Sequence, residues 1–266
     1  MYETFYEMKT TPFIRGIPRD ALYMPHELHE VTNRLQYVVE RQLFAVLTGD
    51  CGTGKTTIIR SFKDSLDKDK YKFLYVSDSK LTPRNFYRLL LEQLGFTPKY
   101  NRGDAKRQLH TEIEVLRAVH GMNPICVCDE AHLMSREMLE EIRFLLNTRF
   151  DSVSPLALIL VGQSELWEKL QLKSYTAIRQ RIDVQSVLNL FDRASTGAYI
   201  RTHLDYSGIS SEIFTEGAID KIHQYSSGTA RIIDKVCTSL LLYGSQARLR
   251  LLDDRAVQLV LDCEFS

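Results

Sequence analysis

Lys55 stands in the segment Gly49-Asp50-Cys51-Gly52-Thr53-Gly54-Lys55-Thr56, whose residue types and spacing suit it to cradle a polyphosphate. Glycines reach backbone angles that L-residues resist, so successive N–H groups can converge on phosphate oxygens. A lysine at this spacing reaches β- and γ-phosphates, and a hydroxyl in the Thr56 position ligates Mg²⁺. The helix expected to open near Lys55 adds the positive end of its dipole. Gly49 to Thr56, with the adjoining Thr57, are the candidate contacts to the nucleotide.

A second chemical set is Asp129-Glu130-Ala131-His132, directly after the apolar run Ile125-Cys126-Val127-Cys128. A carboxylate at the tip of a parallel strand opens onto the same crevice as the phosphate loop. Asp129 is placed to hold Mg²⁺ through water, and Glu130 to polarise an attacking water. Two solvated acids capping the next helix are the plainer alternative. The phosphate loop in the same chain favours the chemistry, and the pair points to hydrolysis of ATP where the loop alone points to binding.

Three further positions are candidates. Gln163 follows the run Leu156 to Val161 and either orients the lytic water or caps the next helix. Arg179 and Arg181 flank Gln180, either as a salt-bridged surface or as fingers reaching a neighbour's γ-phosphate. Arg231, in Gly228-Thr229-Ala230-Arg231, opens a later helix and either reaches the phosphates or is a plain surface arginine.

The elements that must position these residues alternate. Strand-like runs at 43–47, 73–76, 125–128 and 156–161 are separated by helical patterns at 56–65, 84–94, 112–120 and 136–147, with a helix at 27–40 ahead of them. Strands alternating with helices imply parallel crossovers and a layered α/β sheet. Past residue 186 no strand-like run stands out, and helices are expected near 191–206, 214–225, 229–243 and 253–263, with Asp253 as an N-cap. The expected organisation is an extended, proline-bearing lead-in over 1–25, an α/β nucleotide-binding domain over 26–185 and a small helical domain over 186–266.

With 34 basic and 34 acidic residues, overall charge selects no partner, so any nucleic-acid contact needs a local patch. The five cysteines are odd in number and scattered, with Cys126 and Cys128 on one face of a strand; they read as reduced core thiols of a cytosolic protein. The opening residues carry acids and no apolar signal region. The longest apolar helical stretch, Val236 to Tyr243, is far short of the ~20 residues of a membrane span. A cytoplasmic protein without a membrane segment is expected.

Taken together, these motifs resemble the AAA+ ATPases, and within them the ExeA-like branch. Met1-Tyr2, Phe5-Tyr6, Pro12-Phe13 and Leu22-Tyr23, then Leu47-Thr48-Gly49, Ser154-Pro155-Leu156, Leu160-Val161-Gly162-Gln163 and Arg179-Gln180-Arg181-Ile182 all look like that branch. The resemblance implies a P-loop NTPase fold with a helical lid, and the roles of Walker A, Walker B, sensor 1, arginine finger and sensor 2 for the residues above. Gln163 departs from the Asn, Ser or Thr common at sensor 1. The branch includes secretion-associated ATPases and stand-alone ATPases that serve a DDE transposase, similar to Mu B-type target-selection subunits. The chain's length favours the second: an ATPase that oligomerises as a ring or filament on double-stranded DNA and regulates transposition. The alternative is a secretion or envelope-assembly ATPase acting through protein partners.

A candidate DNA surface lies between Lys80 and Arg107. Lys80, Arg84, Arg88, Lys99, Arg102, Lys106 and Arg107 face only Glu92 and Asp104 along this stretch, with Tyr87 and Tyr100 among them. Such a run neutralises backbone phosphates with little sequence preference, unless it is simply a solvated face.

Overall fold

The run Phe44-Ala45-Val46-Leu47 offers no polar side chain to solvent, and all of strand β1 (Phe44–Gly49) is buried. Strand β4 (Ala157–Gly162) is likewise buried along its whole length, as a strand covered on both faces must be. In the computed structural model, which describes residues 2–78, 80–146 and 154–265, these join β2 (Tyr71–Val76), β3 (Asn123–Cys128) and β5 (Val184–Leu188). All pairings are parallel, in the order β2-β3-β4-β1-β5. Leu47 lies opposite Val161, and Cys126 opposite Leu158, so β1, β3 and β4 end along one edge. The phosphate loop, Asp129 and Gln163 leave the sheet there.

Helices α1 (Tyr2–Phe5) and α2 (His26–Arg41) precede β1, and α3 (Lys55–Ser65) follows the loop. Next come α4 (Pro83–Leu94), α5 (Arg102–Ala118), α6 (Arg136–Leu145), α7 (Ser164–Gln171) and α8 (Thr176–Arg179). Their apolar stripes close one core with the sheet; Phe86, Leu90, Leu109, Ile113 and Ile142 are fully buried in it.

The sequence-based expectations differ from these elements in three places. β5 escaped notice because partly exposed Gln185 and small, buried Ser186 interrupt its apolar run. α5 begins at Arg102, ten residues before Glu112, because its buried stripe of Ala105, Leu109 and Ile113 is narrow among charges. Residues 1–25 are not simply extended: α1 and a 3₁₀ turn at Arg19–Ala21 lie among their prolines. Asn147, the expected end of α6, falls outside the described residues.

The chain divides into two compact units, one of Leu28–Asp50 and Lys55–Leu188, the other of Met1–Glu27, Cys51–Gly54 and Asn189–Ser266. The second holds α9 (Arg193–Tyr206), α10 (Glu216–Ser226), α11 (Ala230–Ala247) and α12 (Asp254–Glu264). Asp253 caps α12 by accepting from Ala256 N at 2.9 Å. Tyr2, Tyr6 and Phe13 are buried in this unit's core, and Tyr6 donates its hydroxyl to Leu249 O at 2.9 Å. The lead-in therefore belongs to the helical unit. Cys126, Cys128 and Cys237 are core thiols as expected, whereas Cys51 and Cys263 are exposed. Among the described residues no helix is long and apolar enough to cross a membrane.

Candidate nucleotide site

β1 delivers the chain into the loop with no freedom to spare, and the turn is then made by glycines. Gly52 and Gly54 have φ of +84° and +91°, the region that L-residues avoid. α3 opens at Lys55, so its first N–H groups border the loop. The Lys55 ammonium, only 8% exposed, donates to Gly49 O at 2.7 Å and Asp50 O at 2.8 Å, which holds it over the loop's own carbonyls. Ser164, the first residue of α7, donates to Asp50 Oδ1 at 2.7 Å and ties the tip of β4 to the loop.

Asp129 leaves β3 with its carboxylate 5% exposed and heavily engaged. Oδ2 accepts from Thr56 Oγ1 at 3.0 Å and from the Tyr75 hydroxyl at 2.6 Å, and Oδ1 from the main-chain N–H of Glu130 at 2.9 Å. Burial and the neighbouring Asp129 carboxylate push the Tyr75 phenol well up, so it stays a donor. Glu130 is exposed and adopts left-handed backbone angles (φ 51°, ψ 33°), an unfavourable conformation for a non-glycine residue. Its Oε2 lies 3.5 Å from His132 Nδ1, and the same nitrogen accepts from Gln163 N at 3.4 Å. Gly162 lets these strand tips approach, since a Cβ there would sit 3.1 Å from His132 N. Gln163 occupies the N-cap position of α7, but its side chain makes no capping bond.

The arginines are placed as follows. Arg179 donates to Gln171 O at 2.8 Å and Oε1 at 3.1 Å, and Arg181 to Arg143 O at 3.3 Å. Within the helical unit, Arg231 N donates to Gly52 O at 3.3 Å and its guanidinium lies 3.6 Å from Cys51 Sγ. A Cβ on Gly52 would meet Thr229 Cγ2 at 2.8 Å, so that position takes glycine on two grounds.

The basic stretch is not a row of seven solvated charges. Arg102 and Lys106 of α5 both pair with Glu141 of α6, whose side chain is 2% exposed and which also accepts from Tyr87 of α4. Burial opposes ionisation of Glu141, yet the Tyr87 and Lys106 bonds and the neighbouring cations hold its carboxyl below the usual range. Arg107 pairs with Asp104, and Arg88 lies 3.5 Å from Glu92. Arg84 stacks on Tyr100 at 4.2 Å. Lys80 and Lys99 are exposed, as is the Tyr100 ring. Sequence reasoning missed Tyr75, His132, Ser164 and Glu141; only Tyr75, a polar tip alternating with buried Leu74 and Val76, left a signal.

A family model described as an AAA domain matches residues 38–170, which is half of the chain and spans β1, the phosphate loop, Asp129 and Gln163. The chain belongs to the AAA domain family. General secretion pathway protein A of Aeromonas hydrophila is 28% identical over 246 residues, covering 91% of this chain and 44% of that protein. This AAA chain thus spans less than half the length of that relative. Among solved structures, Cdc6p from Pyrobaculum aerophilum matches with a TM-score of 0.71 at 15% identity, covering 94% of this chain and 69% of that one. A chain of the Drosophila ORC bound to DNA matches at 0.68 and 18%, covering 98% and 65%. At such identities the two structures establish the AAA+ fold, a parallel sheet between helices with a P-loop.

Proposed function

We propose that this AAA+ chain hydrolyses ATP with Mg²⁺, assembles into oligomers, and works in the cytoplasm on a protein partner, as an ExeA-like secretion or envelope-assembly ATPase would. The hydrolytic part is carried by one observation: the Thr56 hydroxyl and the Asp129 carboxylate meet at 3.0 Å beside the Lys55 loop. One hydroxyl and one carboxylate suit Mg²⁺, which is commonly held by one or two carboxylates together with substrate phosphates and water. When bound, Mg²⁺ neutralises charge on the phosphates as the γ-phosphoryl group leaves.

The chain's own residues supply the rest. Lys55 and the loop N–H groups bind phosphate oxygens, with Gly49 to Thr57 around them. Thr56 and Asp129 would hold the metal. Glu130, exposed beside Asp129, takes the proton of the attacking water, and Gln163 orients that water. Arg179 or Arg181 presents positive charge to a neighbouring subunit's nucleotide, and Arg231, whose N–H donates to Gly52 of the loop, reads the nucleotide.

Two observations favour a protein partner over the transposition role. The 28% identity to General secretion pathway protein A runs over 91% of the chain. Arg102 and Lys106, central to the DNA reading, are paired with buried Glu141. The competing reading, duplex DNA and a DDE transposase, keeps exposed Lys80 and Lys99 and the Tyr100 ring backed by Arg84. Phosphate release measured with and without duplex DNA at ~50 mM salt, where phosphate contacts are strong, separates the two. Mg²⁺-dependent turnover indifferent to DNA is expected. DNA-stimulated turnover would return the assignment to the transposition class, and no turnover at all would remove the hydrolytic one.

A further inference from the structure

β2 is an edge strand, and an edge strand leaves one row of backbone N–H and C=O groups without a neighbouring strand. At Tyr75 that row is filled by a side chain. Gln93 of α4 accepts from Tyr75 N at 2.8 Å and donates to Tyr75 O at 2.8 Å, so its amide stands in for the missing strand. On its other side Tyr75 is in register with Val127 of β3. Its backbone is thus anchored on the open edge of the sheet, at the last position but one of β2, and its hydroxyl ends 2.6 Å from Asp129 Oδ2.

A carboxylate has about four lone-pair sites, and three of those on Asp129 are occupied: two on Oδ2 by Thr56 and Tyr75, one on Oδ1 by the N–H of Glu130. Without the phenol, Oδ2 would be held only by the Thr56 hydroxyl, which rotates on an exposed residue, and Oδ1 by the N–H of the adjoining Glu130. The phenol comes from a different element and fixes the plane of the group. We propose that Tyr75 is a positioning residue for the metal-holding face of Asp129, and that Gln93 acts through Tyr75 by anchoring its backbone. The inference rests on the assignment of Thr56 and Asp129 to a nucleotide-bound Mg²⁺. Neither residue touches the reacting atoms. Their role is to keep the remaining lone pair of Asp129 aimed in one direction.

Removing partners that orient a metal ligand characteristically weakens metal affinity by roughly 10–100-fold. Tyr75→Phe deletes only the hydroxyl and preserves ring packing; Gln93→Leu deletes the anchor and preserves the hydroxyl. A fluorescent mant-ADP probe is titrated onto wild type and each variant in EDTA, and then at fixed nucleotide over a Mg²⁺ series. In EDTA the three proteins are expected to bind the probe equally. The half-saturating Mg²⁺ concentration rises about 10-fold or more in Tyr75→Phe, and by a smaller factor in the same direction in Gln93→Leu. A purely structural role for the tyrosine would instead move Tm and Mg²⁺-free binding together. An unchanged or lowered half-saturating Mg²⁺ in Tyr75→Phe, with wild type responding normally, overturns this inference alone. Wild type that binds mant-ADP equally with and without Mg²⁺, or not at all, overturns the nucleotide–Mg²⁺ assignment and this inference with it. If Tyr75→Phe does not fold, Gln93→Leu decides by the same measure.

Discussion

Thr56 and Asp129, 73 positions apart in the chain, are hydrogen bonded through Oγ1 and Oδ2 at 3.0 Å. The bond joins the helix that starts the phosphate loop's exit to the tip of a strand two places away in the sheet. It means that the pair proposed to hold Mg²⁺ is brought together by the fold itself.

That pre-assembly leads to the first prediction. Lys55→Ala removes the ammonium held at 2.7 Å and 2.8 Å over the loop carbonyls and is expected to abolish nucleotide binding. Glu130→Gln leaves the Lys55 and Asp129 contacts in place, so it should bind ATP normally and lose about 10²-fold or more in turnover, the range of general-base contributions. Equilibrium binding and phosphate release read the two separately. Tight binding by the first variant, or normal turnover by the second, refutes the assignments.

How much of this was legible in the chain follows from the range of each interaction. The phosphate loop and the Asp129-Glu130 pair are contiguous residues after apolar runs, so local pattern reveals them. The alternation of β1 to β4 with helices reveals the layered fold in the same way. β5 was hidden because Gln185 and the buried Ser186 break the apolar signal. Tyr75 showed only its alternation with Leu74 and Val76, and Ser164 showed nothing, because their roles depend on which strands become neighbours. The ion pairs of the basic stretch were hidden for a related reason: counting charges from Lys80 to Arg107 cannot include Glu141, which reaches Arg102 and Lys106 from another helix.

Arg181 supplies a prediction about assembly. It donates to Arg143 O at 3.3 Å, within the α/β unit. If it serves a neighbouring subunit, ATP should raise the oligomeric mass, and Arg181→Ala should lower hydrolysis, toward the roughly 10³-fold range of arginine fingers, without weakening ATP binding. Light scattering that finds a monomer with and without ATP rules out the trans role.

The helical unit should show a concealed pH dependence. Tyr199 touches two titrating groups, donating to partly buried Asp234 Oδ1 at 2.7 Å and lying tilted against the buried His203 ring with centroids 4.4 Å apart. Burial raises Asp234 from 3.8 to about 7, against the opposing Tyr199 bond, and burial lowers His203 from 6.5 to about 4. The raised carboxyl makes the native state bind the extra proton, so its contribution is full below 3.8 and is lost as pH climbs to about 7. The lowered imidazole makes the unfolded state bind the extra proton, so its contribution is full above 6.5 and is lost as pH falls to about 4. The two slopes oppose each other over this window, so together these two groups should add little net pH dependence to wild type. Asp234→Asn should expose a rise in stability from pH 4 to 6.5, on the order of 3 kcal/mol, and His203→Gln a fall over the same range. Urea midpoints across pH test this, and parallel profiles for both variants contradict it.

Glu141 decides what the basic stretch is for. It is the shared acceptor of Arg102, Lys106 and the fully buried Tyr87, so it ties α4, α5 and α6 together. Glu141→Gln leaves these donors partly unsatisfied and should lower stability by about 1–3 kcal/mol, the cost of stranding buried polar groups. The same change releases two cations, so the variant should bind duplex DNA more tightly than wild type at ~50 mM salt, with a salt dependence steeper by about one to two phosphate contacts. Reversing the charges of Arg102, Lys106 and Arg107 together should in turn cost stability while changing wild-type DNA affinity little. Fluorescence anisotropy over a salt series, run beside urea denaturation, reads both quantities. Should the triple reversal abolish tight wild-type binding while Glu141→Gln leaves it unchanged, the cations serve DNA despite their pairing with Glu141, and the transposition reading regains the ground that the ion pairs took from it.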